Sequence, residues 1–518
     1  MINPFLEKLL DFYNLSYDDF ILEQDKTLND LPNKDKFKDG EKIASYLREA
    51  ILRQEKILIY GDYDCDGIMS TSILMLTLST ANYKPGYYIP SREYDGYGLT
   101  KENVDRFYSL GYKIIICVDN GIVLNDVIDY ANSLNIDVII LDHHKVNLPL
   151  PKAKYIMHPD VDNFGKYNIS AGEVSFYFSL FYLNRFDEYL FSLCVLSTLS
   201  DSMPLFDYNR IIVKEGVKII NQNHFVEIFS LLNKEKSEID EDDLYMQVIP
   251  KINAICRLLN DNSRFNIVKY FISKDTKMIN KLSYWISSIN ERRKEIVNNL
   301  DFASIDEKEN TVFYLNQEGE GIGGLIANKL LNKFNKIIYV FSNNEQDSSI
   351  YKGSVRSPKG FNVTESLKNN STLLEAFGGH ESAAGFTIKK ELFKKFKENI
   401  LEETKDIKFD LKKKYVNLDL SELTLNYYEI YKELSPFGEG RMKPSFLIEG
   451  LNISEISKYV YNKHIIYKLN REATILIFNF DPEILKASFI NVIGHLSLNE
   501  FNNIKSIQFI VDDFTLIY

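Results

Sequence analysis

The sequence predicts an α/β protein: a parallel-sheet domain, a long helical connector, a smaller α/β domain and a terminal β-barrel. Three observations carry that reading. Apolar strands at Lys56–Tyr60, Lys113–Val118 and Asp137–Leu141 alternate with helical patterns at Gly67–Thr80, Lys101–Leu110 and Leu124–Leu134. A β-α-β-α-β order calls for a parallel sheet buried on both faces. Helical periodicity then fills Phe206–Leu300, and after Lys412 the texture changes to short alternating strands separated by turns.

The chain has 518 residues, 45% of them hydrophobic, enough for several cores. We expect domains at 1–205, 206–305, 306–405 and 410–518. Cys65, Cys117, Cys194 and Cys256 are far apart and form no CxxC, which fits a reducing compartment rather than a disulfide or zinc framework. Met1–Leu10 lacks a signal pattern and no apolar run is long enough to span a bilayer. The reading is therefore a cytoplasmic protein with no membrane partner. The net charge of −12 argues against a surface coated for nucleic acid and leaves room for a local basic groove.

Residues 1–55 read as a helical lead-in, with a turn at Leu28–Pro32 and an amphipathic helix at Asp39–Arg53. The first strand runs into Asp62, Asp64 and Asp66 and then Gly67. Alternating carboxylates on a strand-to-helix turn repel one another and suit a hard divalent cation, although alone they read equally well as a solvated acidic turn. The second strand ends at Asp119, and the third at Asp142-His143-His144. Functional groups of open α/β sheets sit beyond the carboxyl ends of the strands. Acids at three consecutive strand ends therefore converge, and a metal site is expected there.

A short strand at Tyr87–Pro90 leads into Ser91–Gly98, a glycine- and tyrosine-rich loop carrying Arg92; ligand contact and plain surface are equally good accounts of it. Leu148–Ile169, with three prolines, reads as loop, and its His158 as structural. Ala171–Leu183 and Leu190–Leu199 are apolar helices. Asp201 ends the second, where the helix dipole disfavours an acid; a metal would compensate, and an ordinary helix stop before Pro204 is the plainer account. Lys234–Asp243 reads as a solvated charged loop. A strand at Thr311–Leu315, the glycine-rich turn Gly319–Gly324, a helix to Phe334 and a strand at Lys336–Phe341 open the second α/β unit. Glycine-exposed N–H groups, Ser354, Arg356 and Gly378-Gly379-His380 make a phosphate-binding vocabulary without a Walker lysine. In the barrel, Tyr459, Tyr461, Lys463 and Tyr467 suit either single-strand stacking or a core.

GDYDCDG at 61–67, the Asp119 strand end, DHH at 142–144 and Asp201 resemble the four motifs of the DHH phosphoesterase superfamily. GGHESAAG at 378–385 resembles the signature of its companion DHHA1 domain. The order DHH domain, connector, DHHA1 domain and OB-like barrel is similar to that of the bacterial RecJ family of single-strand-specific 5′→3′ DNA exonucleases, as are PKINAICRL, GIGGLIANKL, SVRSPKGFNV and LSPFGEG. Ile255-Cys256 departs from the Ala-Gly usual there, Tyr60 stands where some relatives have histidine, and the Trp-His common before Gly321 is missing.

The resemblance implies two divalent cations, Mn²⁺ or Mg²⁺, clamping an in-line displacement at phosphorus. It implies that Asp64 holds one ion, that Asp66, His143 and Asp201 hold the other, and that Asp119 bridges. Asp62 and Asp142, counted with the metal set, and His144, counted with the catalytic set, would orient ligands or face phosphate. Arg92 and Arg257 would hold a terminal 5′ phosphate, and Ser354, Arg356, Gly378, Gly379 and His380 the substrate. The implied partners are single-stranded DNA, a single-strand-binding protein and a RecQ-type helicase, with the enzyme a monomer in DNA repair and recombination. Two other functions share the core: a phosphodiesterase of short oligonucleotides or cyclic dinucleotides, which lacks the connector and barrel, and a non-catalytic replication-fork scaffold, which would lose the acids.

Overall fold

The computed structural model describes residues 2–162, 164, 168–233, 236–300, 302, 305, 309–344, 346–407, 409, 414–480, 482–501 and 504–517. Contacts divide the chain into two compact units, one of 32–201 with 219–411, the other of 1–31, 202–218 and 412–518.

The first unit holds two sheets. Strands β1 (Lys56–Tyr60), β2 (Gly86–Tyr88), β3 (Tyr112–Val118), β4 (Asp137–Leu141) and β5 (Tyr155–Met157) form an all-parallel sheet in the order β2-β1-β3-β4-β5. Strand β5 falls where the sequence reads as loop; it is three residues long, behind two prolines, and too short to show a period. Alternate residues face opposite sides. Leu58, Tyr60, Ile115, Cys117, Val138 and Ile140 pack against residues of the flanking helices, such as Val104, Phe107, Ile128 and Ala131.

Two helices precede this sheet in sequence, α1 (Pro4–Tyr13) and α2 (Tyr17–Asp25), and both belong to the second unit. Within the first unit, α3 (Gly40–Leu52) leads into β1. Helix α4 (Cys65–Ser79) is buried almost all round, as its unbroken apolar run requires. Helices α5 (Lys101–Ser109) and α6 (Asn125–Ser133) carry the crossovers, and α7 (Ala171–Leu183) and α8 (Glu188–Ser200) pack on α4.

The connector is helical as expected: α9 (Asp207–Asn223), α10 (Val226–Phe229), α11 (Glu241–Asp243), α12 (Ile249–Leu258), α13 (Asn266–Ile272) and the 23-residue α14 (Thr276–Asn298). The charged run is not simply a solvated loop. Lys234 and Glu235 lie outside the described residues, but Asp240 caps α11 in a capping box, and buried Asp243 accepts from Lys236 at 2.5 Å. Capping makes structural use of acids that charge patterning alone assigns to solvent.

The second sheet is mixed. Strands β6 (Thr311–Asn316), β7 (Ile337–Asn343), β8 (Ile350–Arg356), β9 (Leu374–Gly379) and β10 (Ala383–Lys389) lie in the order β6-β7-β8-β10-β9, with only β6 and β7 parallel. Helices α15 (Gly323–Phe334), α16 (Val363–Asn369) and α17 (Phe393–Thr404) accompany it.

In the second unit, β11 (Tyr415–Asn417), β12 (Ser445–Asn452), β13 (Ser457–Tyr461), β14 (His464–Lys468), β15 (Ala473–Phe478), β16 (Phe489–Phe501) and β17 (Ile504–Ile517) form a seven-stranded sheet, with α18 (Leu425–Lys432) between β11 and β12. Strand β13 and helix α18 have no counterpart in the sequence reading. Phe5, Leu9, Leu10 and Phe20 of α1 and α2 enter the hydrophobic core of this sheet beside Phe446, Ile465, Tyr467 and Phe509. Tyr467 is fully buried, so it is a core residue, whereas Tyr459 and Tyr461 on edge strand β13 are 62% and 71% exposed.

Candidate metal centre and anion cavity

The acids converge because the turn after β1 folds back on itself. A Cβ at Gly67 would come within 2.5 Å of the Asp62 backbone nitrogen, so only glycine fits there. Asp64 caps α4 by accepting from Gly67 N at 3.2 Å. Asp66, in the first turn, accepts from Ala171 N at 2.9 Å, Gly172 N at 2.8 Å and Ser197 Oγ at 2.5 Å. The start of α7 and a hydroxyl of α8 thus fix its carboxylate. Asp119, just past β3, has φ of 63°, a conformation non-glycine residues avoid outside special sites. Beside it the Asn120 amide donates to the carbonyls of Tyr60, Gly61 and Val118, tying the ends of β1 and β3 together.

After β4, Asp142 is fully buried and accepts from Ile122 N, His143 N, His144 N and His144 Nδ1. Burial alone would raise its pKa, but the hydrogen bond from His144 and the nearby imidazoles hold it well below the usual carboxylate range. Burial would lower His144; the bond to Asp142 and the surrounding carboxylates instead push it up to about 9, so it carries a proton at neutral pH. His158 is buried and donates from Nε2 to the His144 carbonyl oxygen, so it is structural, bracing this loop.

The ligand atoms of Asp66, His143 and Asp201 lie within 4.8 Å of one another, as do those of Asp62, Asp64 and Asp119, and those of Asp119, Asp142, His143 and His144. His143 Nε2 is 3.3 Å from Asp119 Oδ1, 3.5 Å from Asp201 Oδ2 and 3.6 Å from Asp66 Oδ2. That nitrogen and Asp62 Oδ1 are buried without a hydrogen-bond partner among the described residues. Burial lowers the His143 pKa, favouring a neutral ring with a lone pair to give. Burial, and then neighbouring acids, push Asp62, Asp64, Asp119 and Asp201 up. Orphaned donors and mutually repelling carboxylates fit hard divalent cations.

A cavity of about 320 Å³ opens on this cluster, lined by Asp62, Asp64, His144, Arg92 and Arg257 among others. Arg92 stacks on the Tyr63 ring, 5.3 Å from its centroid. Arg257 is pushed down to about 10 by burial and by the nearby Arg92, Arg293 and Arg356 guanidinium groups. Burial, and then Arg92, lower Arg356. None of these four arginines has a carboxylate ion pair among the described residues. A Cβ at Gly321 would meet the Arg257 carbonyl oxygen at 2.1 Å, so the glycine turn before α15 lets the two segments touch.

The sequence reading set Arg92 and Arg257 at a terminal phosphate and Arg356 and His380 at the substrate, and it missed Arg293 on α14. Its Nε is buried and has no hydrogen-bond partner among the described residues; in sequence it sits in Glu291-Arg292-Arg293-Lys294, which reads as a solvated helix face. Also missed was Asn253, whose Oδ1 accepts from Cys65 N at 2.8 Å.

Ser354 and Gly378 line a second cleft of about 330 Å³, which Arg92, Tyr63 and Tyr97 share from the first sheet's loops. Gly379 and His380 line neither cavity. They sit where β9 turns into β10, with His380 exposed and its backbone bonded to Ala383 and Thr364. The hairpin tip, rather than the cleft, is where the sheet register carries them.

Family comparisons agree with this architecture. The DHH family N-terminal domain matches residues 56–197, the DHHA1 domain 310–406 and the RecJ OB domain 416–513. The single-stranded-DNA-specific exonuclease RecJ of Bacillus subtilis is 30% identical over 91% of this chain, which spans 62% of that protein's length. The RecJ of Haemophilus influenzae is 25% identical over 98% of this chain and 96% of its own length. The crystal structure of RecJ in complex with Mn²⁺ from Thermus thermophilus superposes with a TM-score of 0.83 at 21% identity, covering all of this chain and 76% of that one. The DHH, DHHA1 and RecJ OB domain models thus match this chain one after another, and the chain is similar to RecJ proteins over most of its length.

Proposed function

We propose that this protein is a metal-dependent 5′→3′ exonuclease that hydrolyses phosphodiester bonds of single-stranded DNA. The observation that carries the reading is the adjacency of two opposite clusters. The carboxylates of Asp62 and Asp64 and the His144 imidazole form one wall of the cavity, and Arg92 and Arg257, without carboxylate ion pairs among the described residues, form the other.

Asp64 and Asp119, with Asp62 beside them, would hold one cation; Asp66, His143 and Asp201 would hold the other. Asp119 Oδ1 lies close enough to His143 Nε2 to serve both. When bound, divalent cations supply a nucleophile at neutral pH and neutralise charge developing on the phosphoryl oxygens. Asp142 spends its lone pairs on four protein donors, so its part is to orient the His143-His144 loop. His144 lines the cavity with its Nδ1 bonded to Asp142, and would donate to the scissile phosphate's oxygens. Arg92, Arg257 and Arg356, joined by Arg293, would grip the terminal phosphate, with Ser354 as a hydroxyl donor nearby. In this reading the cavity of about 320 Å³ takes the terminal nucleotide of a single strand.

The relatives named RecJ are described as single-stranded-DNA-specific exonucleases, and structural neighbours hold Mn²⁺ or Mg²⁺. This supports the substrate and cation assignment. A cytoplasmic monomer working with a single-strand-binding protein and a RecQ-type helicase is the setting the reading implies. No helix among the described residues is long and apolar enough to cross a membrane. Incubation of single-stranded and blunt duplex DNA with the protein and Mn²⁺ or Mg²⁺ tests the proposal. Release of mononucleotides from the single strand alone is expected, and equal attack on duplex would overturn it.

A further inference from the structure

The loop that carries Arg92 is held by a clamp outside both cavities, and we propose that this clamp, centred on Arg264 and Asp95, positions Arg92 for recognition of a terminal phosphate. The inference rests on the reading of Arg92 given above.

Arg92 has little of its own to hold it. Its one specific contact among the described residues is the face of Tyr63, so its place depends on the Ser91–Gly98 backbone. That loop turns through Gly96 and Gly98 at φ of 75° and 77°, and Asp95 organises its interior. The Asp95 carboxylate accepts from Ser91 N at 2.6 Å, Tyr88 Oη at 3.0 Å and Asn103 Nδ2 at 3.0 Å. Arg264 brings the balancing charge, its Nη2 lying 3.8 Å from Asp95 Oδ2. It comes from the segment between α12 and α13 and is 3% exposed.

Every face of that guanidinium is engaged. Nε donates to the Ile89 carbonyl at 2.9 Å, and Nη1 to the carbonyls of Asn260 and Asp261 at 2.7 and 2.8 Å. The plane lies over Phe265 and Tyr88. Asn260, held in this way, reaches back to the loop: its Oδ1 accepts from Ser91 Oγ at 3.0 Å and its Nδ2 donates to Glu93. The residues flanking Arg92 on both sides, Ser91 and Glu93, are thus pinned by one asparagine that the buried arginine fixes. From the second sheet's domain, Gln346 Nε2 donates to the Glu93 carbonyl at 3.2 Å. Arg264 touches neither cavity, so it acts only through the loop.

A lysine at 264 has no planar fork with which to serve Ile89, Asn260, Asp261 and Asp95 together. Loss of the clamp therefore frees Arg92 without removing it. The readout is the ratio of affinities of the metal-free full chain for short single strands bearing a 5′ phosphate or a 5′ hydroxyl. In the wild type the phosphate is preferred. In Arg264→Lys and, independently, in Asn260→Ala, the preference falls about tenfold, the scale of one hydrogen bond to a charged group. Affinity for the 5′-hydroxyl strand stays within about twofold of wild type in the same variants. A preference retained in both variants, with thermal melting showing both folded, would overturn the clamp. A wild type with no preference would instead overturn the terminal-phosphate reading of Arg92. Should Arg264→Lys not fold, Asn260→Ala, which removes no buried charge, decides the matter alone.

Discussion

Nε2 of His143 lies 3.3 Å from Oδ1 of Asp119 at the meeting point of two strand ends, buried and without a hydrogen-bond partner among the described residues. A neutral imidazole and a carboxylate this close, with Asp66 and Asp201 also within 3.6 Å of the ring nitrogen, repel through facing lone pairs. Both side chains are placed for a shared electrophile rather than for each other.

Asp119→Asn is therefore expected to abolish hydrolysis while leaving the fold intact. Asparagine tolerates the positive φ that alanine does not, and it removes one of several mutually repelling charges. Thermal melting without cation should give a melting temperature no lower than wild type. Mn²⁺ should raise the wild-type melting temperature by selective binding to the folded state, and raise the variant's much less. Near-normal turnover at saturating Mn²⁺ would remove Asp119 from the centre.

Glu173 behind the centre gives a pH signature. Its carboxyl is fully buried at the start of α7, with Oε1 accepting from Thr198 Oγ1 at 2.8 Å and Oε2 without a partner among the described residues. Burial pushes its pKa up to about 8. The folded state thus holds a proton that the unfolded chain has already released above its ordinary value near 4.5. Stability from this group is highest below that value and declines as pH rises from about 4.5 to 8. Glu173→Gln mimics the protonated form, so it should match wild type near pH 5 and be more stable at pH 8. Parallel melting curves for the two proteins over that range would contradict the assignment.

Tyr461 and Tyr467 should behave oppositely although they are near neighbours in sequence. Tyr461 and Tyr459 are exposed, so Tyr459→Ala with Tyr461→Ala should leave melting unchanged. The pair should weaken binding of long single strands by about 1–3 kcal/mol per lost base stack. Tyr467→Ala empties a core position, with an expected loss of about 3–5 kcal/mol in denaturant unfolding. Unchanged DNA affinity in the exposed pair would give β13 another role.

The acidic chain should still bind single strands in a salt-dependent way, because the arginines cluster. On Asp119→Asn, the slope of log affinity against log salt should lessen by about 0.7 when Arg257 is replaced by alanine, one phosphate contact on a single strand. An unchanged slope would detach Arg257 from phosphate.

Much of the centre was legible in the sequence because a parallel sheet fixes where its strand ends go. Asp62, Asp64, Asp66, Asp119, Asp142, His143 and Asp201 were placed by topology and motif, and the fold brings their ligand atoms together. Arg293 was not legible, since its neighbours on α14 are charged and its burial comes from packing that periodicity does not encode. The clamp residues Asp95, Asn260 and Arg264 were hidden for a similar reason: Asn260 meets Ser91 across 169 residues of chain, and Arg264 meets Asp95 across a like span. His380 lies apart from the cavities: its motif suggests a phosphate contact, and the register of β9 against β10 puts it at an exposed hairpin tip. Likewise α1 and α2 read as a lead-in to β1 because local pattern cannot say that Phe5 and Leu9 pack beside Phe446.

Digestion of single strands labelled at either the 5′ or the 3′ end, with Mn²⁺ or Mg²⁺ and the full chain, tests the central claim most directly. The expected result is immediate release of the 5′ label as a mononucleotide, with the 3′ label passing through progressively shorter strands. Immediate release of the 3′ label, or no hydrolysis with either cation by a folded protein, would contradict it.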